Sequence, residues 1–484
     1  MKLELSITRK KLILLFVCLG LGILAEICFF HGRIGLSLLV FVIVLYSLIL
    51  LKYRLAFNHR RIGLLFTFTI WALSGSYLLY DHHFFYYLNL IIIPILIFSH
   101  LIIITSPNTF RWNTPYFLAL LTDKLLDGIH YSLSFVAEVM STVYRPLTDE
   151  MRSHIRLVMK GLVYSVPLFL FVSWLFAQAD SQFHHLLISL LDFKLLQVIL
   201  RLLFILLFGL ILFGLLQTLA MNSKTEQIAK RKPKKRWNGL TAITVLVVQT
   251  GVYLLYIFGL MNKGFNGQAE VPDPFTEFTS KSFFAFILIA IINLSLIISF
   301  LKLVKVKHSY IDLTLKSLYS LLILINLFML YLAYQRLSMY EMVYGFTFSS
   351  IIAHSLIIFL MVIFIYTLIH VWLEKISLLH FYLIIGLIFY TALNAINIEK
   401  IIVDKNIERY IATEQIDFDY LDSLSYTGWD GLIQLYELGE DDPALLQLLT
   451  ERKEWIEQQP ASSWQSFNFT KQRVEKKLTE LSFK

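Results

Sequence analysis

Glu26 is the ionisable residue that lies deepest inside an apolar stretch of this sequence. A short carboxylate cannot reach the membrane surface in the way that a long lysine or arginine side chain can. Because a charge in hydrocarbon is costly, such a group is a candidate for a functional role. The alternative is structural: Glu26 reaches the outer interface near His31, or it pairs with Arg201.

Several acidic and histidine side chains beside other apolar stretches could bind a divalent metal or relay protons. They are Asp81, His82, His83, Asp180, His184 and His185. A metal site needs three or four ligands that converge at about 2 Å from the ion. Separate connections would have to meet, and neighbouring histidines project in different directions. Solvated histidines at the interface are therefore the simpler interpretation.

Polar residues near the ends of later apolar stretches form the best candidate for a site. They are Glu277, Arg336, Tyr340, Glu341 and Tyr344. We expect connections to dock there on one another or on the C-terminal tail, with Arg336 as the cation and Glu277 or Glu341 as its partner. Recognition of a ligand is the alternative.

Motifs of common catalytic and cofactor sites are absent from the sequence. It contains no glycine-rich phosphate loop, no His-Glu-x-x-His, no Gly-x-Ser-x-Gly and no cysteine pair at metal spacing. The two cysteines, Cys18 and Cys28, both fall in the first apolar stretch. We therefore assign no catalytic residue and no cofactor, and we do not favour an enzyme.

The elements that must position these residues are membrane helices. Of the 484 residues 57% are hydrophobic and 16% are charged, against about 45–50% and about 25% in soluble domains. A helix that crosses the bilayer needs about 20 apolar residues. The sequence predicts an all-α, polytopic integral membrane protein with about 11 transmembrane helices, near 11–30, 34–51, 62–80, 86–104, 159–177, 195–219, 240–261, 282–301, 313–333, 348–371 and 377–396.

Lysine and arginine alternate strongly between the connections of these spans. With the N-terminus inside, the inner segments hold 24 of them and the outer loops hold 5. Because such residues resist translocation, this bias predicts the orientation. The basic run 230–236 is expected to set topology and to touch anionic lipid of the inner leaflet, which leaves no reason to expect nucleic acid.

An odd number of spans places the tail, 397–484, on the outer face. The sequence thus predicts a transmembrane domain, 1–396, and a small helical C-terminal domain with 10 Lys and Arg against 17 Asp and Glu. Within the tail, Asp442 and Pro443 predict the cap and first turn of a helix that reaches about Gln459.

The long inner segment, 105–158, also has helical periodicity. Between Pro115 and Pro146, apolar residues recur at spacings of three and four: Leu118, Leu121, Leu125, Ile129, Leu133, Val136 and Val139. The pattern predicts an amphipathic helix that lies along the inner leaflet with this stripe as its apolar face.

Six stretches together resemble a known family. They are 177–183, 274–284, 335–347, 397–410, 417–425 and 464–473. They are similar to a bacterial membrane protein family catalogued as a domain of unknown function, the 4173 type, which is related to the 4153 type. The resemblance implies an integral protein of the bacterial cell envelope, a multi-pass protein of the cytoplasmic membrane, and it implies no activity, substrate or catalytic residue.

Three classes of function remain open. The first is a non-enzymatic envelope scaffold, sensor or regulator that presents its tail to an envelope protein partner. The second is a transporter of a small solute, which a cavity lined by Glu26, Asn293 or Asn326 would favour. The third is a membrane-embedded transferase that acts on a lipid-linked substrate, with Asp81 as the residue to test.

Overall fold

The computed structural model describes most of the chain, and all structural statements below refer to its described residues. These are 7–53, 59–81, 83–107, 112–113, 116–143, 149–191, 194–219, 237–265, 280–305, 308–373, 377–439, 442–459 and 463–481. Their structure is almost entirely helical, which confirms the all-α prediction. The β structure described is a two-residue parallel pair, β1 (Trp237–Asn238) with β2 (Val304–Lys305).

The helices before the tail follow the order of the apolar stretches. They are α1 (Arg9–Phe30), α2 (Leu36–Tyr53), α3 (Arg60–Leu79), α4 (His83–Thr105), α5 (Tyr116–Val143), α6 (Asp149–Ala179), α7 (Ser181–Leu191), α8 (Lys194–Thr218), α9 (Gly239–Phe265), α10 (Ser280–Leu303), α11 (Ser309–Tyr344), α12 (Phe348–Trp372) and α13 (Leu378–Ala395).

The tail continues with shorter helices. They are α14 (Ile398–Thr413), α15 (Phe418–Ser423), α16 (Ser425–Glu437), α17 (Pro443–Gln458) and α18 (Phe469–Glu480), with a single 3-10 turn at Trp464–Ser466. The predicted cap is confirmed, because the Asp442 carboxylate accepts a hydrogen bond from the Ala444 N–H at 2.8 Å and Pro443 opens α17.

Nine of the described helices are long and apolar enough to cross a membrane. They are Arg9–Phe30, Arg60–Leu79, His83–Thr105, Leu196–Thr218, Gly239–Gly259, Ala285–Leu303, Ser309–Tyr344, Phe348–Trp372 and Leu378–Ala395. Each coincides with an expected span. Of the other two expected spans, 34–51 forms a helix whose apolar part is Leu36–Ile49, and 159–177 lies within α6. The chain is a multi-pass membrane protein.

The chain divides into two compact units, which are described separately. The first contains residues 1–64, 95–227 and 463–467, and the second contains residues 65–94, 228–462 and 468–484. In the first unit, α8 is the central helix. It packs against α1, where a methyl group added to Gly22 would lie only 2.6 Å from the Ile205 carbonyl oxygen, and against α5.

The α5–α8 contact runs antiparallel and is very close. The Lys124 ammonium donates to the Thr218 carbonyl at 2.8 Å, and the Ser132 hydroxyl donates to the Leu210 carbonyl at 2.5 Å. Between them a Cβ atom at Gly214 would overlap the backbone of Gly128. Small residues that let two backbones approach are typical of helix pairs inside membranes.

The packed face of α5 differs from the apolar stripe that the sequence suggested. Leu120, Lys124, Tyr131 and Phe135 are buried, whereas Leu118 and Leu133 of the stripe are 69% and 58% exposed. The helix therefore turns a mixed face toward α8, on which Gly128 and Lys124 lie beside the rings of Tyr131 and Phe135, and it leaves Leu118 and Leu133 exposed. Residues 124–132 of α5 contact residues 210–218, which are the last turns of the candidate span Leu196–Thr218. We therefore expect this part of α5 to lie at the same depth as those turns.

In the second unit, a polar network joins α9, α10 and α11 midway along their lengths. The Tyr253 hydroxyl donates to Asn293 Oδ1 at 3.0 Å, and the Asn293 amide donates to Asn326 Oδ1 at 2.8 Å. The Asn326 amide donates in turn to the Leu322 carbonyl at 2.7 Å. Asn293 and Asn326 are buried and mutually bonded, so their network links the three helices.

Candidate functional site

The tail forms a small helical bundle whose apolar core also includes Phe85 of α4. Leu432, Leu435, Leu445 and Leu449 are fully buried within it. Charges tie the helices together around that core: the Asp430 carboxylate on α16 lies 3.2 Å from Arg473 Nη2 and 2.6 Å from Lys477 Nζ, both on α18.

A second ion pair links α15 to α17. The Arg452 guanidinium donates to both oxygens of Asp422, at 2.7 and 2.5 Å. This bidentate geometry is the favourable one for arginine and carboxylate. The hydrogen bonds to Asp422 raise the pKa of Arg452 above its ordinary value, so the cation persists at any physiological pH.

The bundle docks on the connection between α11 and α12 through polar side chains that reach backbone atoms. The side-chain oxygen of Asn406 (Oδ1) accepts from the backbone N–H of Phe346 at 2.9 Å, and its side-chain nitrogen (Nδ2) donates to the backbone carbonyl of Phe346 at 2.8 Å. The Arg409 guanidinium donates to the carbonyls of Met342 at 3.2 Å and Val343 at 2.6 Å.

Tyr420 completes this contact from α15. Its hydroxyl accepts from the Phe348 N–H at 2.8 Å. Burial raises the pKa of Tyr420 above its ordinary value, which keeps the hydroxyl neutral. Four orphan donors occur at the start of any helix, so the Phe348 contact satisfies one of those of α12.

The bundle also docks on the connection between α3 and α4. The Asn468 amide donates to the carbonyls of Tyr77 and Tyr80, each at 2.8 Å, and the Thr470 hydroxyl donates to the Leu79 carbonyl at 2.8 Å. Asn468 also caps α18, because its side-chain oxygen (Oδ1) accepts from the Lys471 backbone N–H at 3.1 Å. One side chain thus fixes both the start of α18 and its position on this connection.

In the first unit, the short segment Ser463–Phe467 forms backbone hydrogen bonds with the connection between α1 and α2. The Gly35 N–H donates to the Gln465 carbonyl at 2.9 Å, and the Leu36 N–H donates to the Phe467 carbonyl at 3.0 Å. A methyl group on Gly35 would lie 2.5 Å from the Phe467 oxygen, so this approach needs glycine.

Glu26 lies beside both groups that the structural interpretation named. Its Oε1 atom is 3.1 Å from His31 Nε2 and 3.3 Å from Arg201 Nη1, and His31 lies 3.3 Å from the same arginine nitrogen. Glu26 is 7% exposed. Since breaking a buried charge pair is costly, this cluster explains the carboxylate as a link between α1 and α8.

The candidate metal ligands are engaged separately. Asp81 accepts from the Ser425 hydroxyl of the tail at 2.8 Å, and the His83 N–H donates to Glu399 at 3.2 Å. Asp180 caps α7 through the Gln182 N–H at 2.8 Å.

The paired histidines of α7 do not point at a common centre. The rings of His184 and His185 lie 6.2 Å apart at 66°, and His82 lies outside the described residues. Within the ranges that the structure describes, no three His, Cys, Asp or Glu side chains are arranged to hold a metal ion. The metal site therefore stays an unsupported alternative.

The polar set around Glu341 is partly brought together. Glu341 is buried and its Oε1 atom lies 3.2 Å from His354 Nδ1, while the rings of Tyr340 and Tyr344 lie 4.8 Å apart. Arg336 is half-buried on α11, and Glu277 lies outside the described residues. The sequence did not identify His354 as a partner.

The tail docks next to this set, where Arg409 donates to the carbonyls of Met342 and Val343; the pairing of Arg336 with Glu277 or Glu341 stays a prediction. Sequence reasoning named none of Asn406, Arg409, Tyr420 and Asn468. The family resemblance could have indicated them, because all four residues lie in the stretches that carry it.

A groove of about 580 Å³ opens between α15 and α17 on the tail. Its lining combines carboxylates with apolar side chains: Ile416, Asp417, Phe418, Asp419, Ala444, Gln447, Leu448 and Glu451. The docking contacts described above leave these groove residues uninvolved, apart from the cap that Asp417 gives α15. The groove thus lies apart from the described docking contacts, and within it the Glu451 carboxylate accepts from the Gln447 amide at 2.8 Å.

Comparison with known proteins adds a family. A family model described as "Domain of unknown function (DUF4153)" matches residues 67–435, which is about three quarters of the chain. The matched range contains the docking residues of α14 and α15. No curated protein and no protein of solved structure matches the chain.

Proposed function

The chain belongs to the DUF4153 family of unknown function, and from that starting point we propose that it is a scaffold, sensor or regulator of the bacterial cell envelope that presents its helical tail to an envelope protein. The observation that carries this proposal is the mode of docking. Asn406, Arg409 and Asn468 hold the tail by backbone atoms of the connections, which fixes its orientation and leaves its groove open.

Alternation of the spans supports an outer position for the tail. It contacts the connections that follow the third and ninth expected spans, and it follows the eleventh. Connections after odd-numbered spans share one face, and here they hold few Lys and Arg. The same alternation requires one net crossing between Thr105 and Lys194, which the expected fifth span in α6 would supply.

The groove defines the chemistry of the partner. Asp419 and Glu451 add negative charge around Phe418 and Leu448, so a partner segment that is basic and apolar would be complementary. Membrane lipid around the spans and anionic lipid at the inner basic loops are the other expected contacts.

Charge reversal in the groove tests this function. We expect Glu451→Lys to reduce at least fivefold the recovery of an envelope protein that is cross-linked to the full-length chain in membranes and quantified by mass spectrometry. Glu480→Lys, which makes the same charge change at an exposed site on α18, is the matched control. A set of cross-linked proteins that is identical for wild type and both variants would reject the groove as a partner surface.

The orientation has its own test by cysteine labelling. In a Cys18→Ser, Cys28→Ser background, we expect a membrane-impermeant maleimide to label Lys476→Cys in intact cells, because this side chain is 75% exposed and the tail is proposed to face outward. Lys234→Cys in the basic run should be labelled only after the cells are opened. The reverse pattern would invert the proposed topology.

A further inference from the structure

Three side chains at the contact of α11 with α12 form a continuous acid, imidazole and hydroxyl series. Glu341 Oε1 lies 3.2 Å from His354 Nδ1, and His354 Nε2 lies 3.3 Å from the Ser338 hydroxyl oxygen. Both ring nitrogens of the histidine are thus used, one by a carboxylate and one by a hydroxyl. We call this set the Glu341–His354–Ser338 relay.

The exposure of the three residues is lowest at Glu341 and higher at His354 and Ser338. The side chains of Glu341 and His354 are 5% and 14% exposed, and Ser338 is half-buried. The Tyr334 ring packs edge-on against the imidazole at a centroid distance of 4.5 Å. The carboxylate and this ring therefore hold the imidazole in one orientation, with Ser338 as its outermost partner.

The relay lies near the α11–α12 connection. The expected ninth span ends near residue 333 and the expected tenth begins at 348, so Ser338 follows the one span and His354 lies in the second turn of the other. We therefore expect the relay close to the interfacial layer, where the polar ends of lipids meet the hydrocarbon. The ester carbonyls of acyl lipids lie in this layer.

We propose that the relay is a nucleophilic centre that cleaves or transfers a carboxylic ester at the membrane interface, with Ser338 as nucleophile, His354 as general base and Glu341 as the residue that positions His354. This activity goes beyond the proposed role of the tail. It requires only the arrangement of nucleophile, base and orienting group that recurs on unrelated folds.

The proton and electron movements balance within the relay. With Nδ1–H donated to Glu341, Nε2 of His354 accepts the Ser338 proton as the hydroxyl oxygen attacks the ester carbonyl carbon. The ester C–O bond breaks, and the alcohol leaves with the proton from His354. Water then attacks the acyl-serine in the same way, which releases the carboxylic acid and restores Ser338; a second alcohol in place of water gives transfer.

A purely structural role would leave the serine unreactive. Its hydroxyl also lies 3.1 Å from the Tyr334 carbonyl, a bond from residue i to i−4 that is common for helix serines. Ser355 on α12 has the same bond to Ile351 at 2.9 Å and similar exposure, but the structure describes no imidazole contact for its hydroxyl. It therefore provides a matched comparison.

The test uses the full-length protein in lipid nanodiscs and an alkyl fluorophosphonate, whose phosphorus is attacked by an activated serine with loss of fluoride. We expect one adduct on Ser338 by peptide mapping, absent in Ser338→Ala and retained in Ser355→Ala. His354→Gln should lower the maximal labelling rate about 100-fold, the usual size of a general-base contribution.

Glu341→Gln separates positioning from mere folding. We expect it to lower the maximal labelling rate at least tenfold with an unchanged probe concentration at half-maximal rate, in protein that elutes as a single species. No adduct on Ser338 in the wild type, or a labelling rate in His354→Gln and Glu341→Gln that equals the wild-type rate, would overturn the proposal.

Discussion

Gly428→Ala is expected to unfold the tail bundle. A Cβ atom at this position of α16 would overlap the carbonyl oxygen of Leu421 on α15 and would lie 3.0 Å from Leu424 Cβ. Because the obstacle is backbone at a tight corner, where Ser425 has a φ of 58°, it cannot move aside as a flexible side chain could. Overpacking of this kind costs typically 1–3 kcal/mol and occasionally more, and we expect at least about 3 kcal/mol here.

The measurement is cleavage of the tail by proteinase K over a series of temperatures, in purified protein. The variant should lose its protected tail at a temperature well below that of the wild type. Gly386→Ala on α13 makes the same chemical change where the new methyl would lie 3.9 Å from Phe359 Cζ, so its protection should match the wild type. Equal protection in both variants would show that the α15–α16 corner has room to relax.

Asn406→Leu is expected to release the tail from the α11–α12 connection without unfolding it. Leucine has nearly the shape of asparagine, but it removes both hydrogen bonds to Phe346. Backbone groups left unsatisfied in an enclosed contact cost about 1–3 kcal/mol. Since Phe346 is only half-buried, we expect about 2 kcal/mol, which corresponds to about a 30-fold rise in the open population.

Hydrogen exchange of the α14 amides, followed by mass spectrometry, reports this opening. Their exchange should accelerate about 30-fold in Asn406→Leu, while the amides of α17 stay protected. Lys405→Ala is the control, because Lys405 forms a surface pair with Glu408 at 2.7 Å with both side chains about half exposed or more, and such pairs contribute little. Accelerated exchange in α17 as well would mean that docking and folding of the tail are one event.

These two results would separate two properties that the proposed function needs. A partner surface on the groove requires a folded bundle, whereas regulation requires that the bundle can be released. The polar contacts of Asn406 and Arg409 bear on the second property, since they join the backbone near the α11–α12 connection to the tail, whose apolar core extends to Phe85 of α4.

Hydropathy and helix-end chemistry determined which segments lie in the membrane and where several tail elements begin. Nine expected spans coincide with candidate membrane helices, and Asp442 caps α17 as its position before Pro443 implied. These features are local: a run of apolar residues or a capping side chain acts on its own helix. For Glu26 the sequence offered a position near His31 or a pair with Arg201, and the structure places the carboxylate beside both.

Tertiary structure alone decided which faces meet and what holds the tail. Apolar residues face lipid as readily as they face other helices, so the leucine stripe of α5 could not reveal that the Gly128 face packs on α8. The bonds from Asn406 to Phe346 and from Asn468 to Tyr77 join residues that are 60 and 391 positions apart. Backbone atoms accept such bonds wherever the chain brings them, and no residue type in the sequence marks the place.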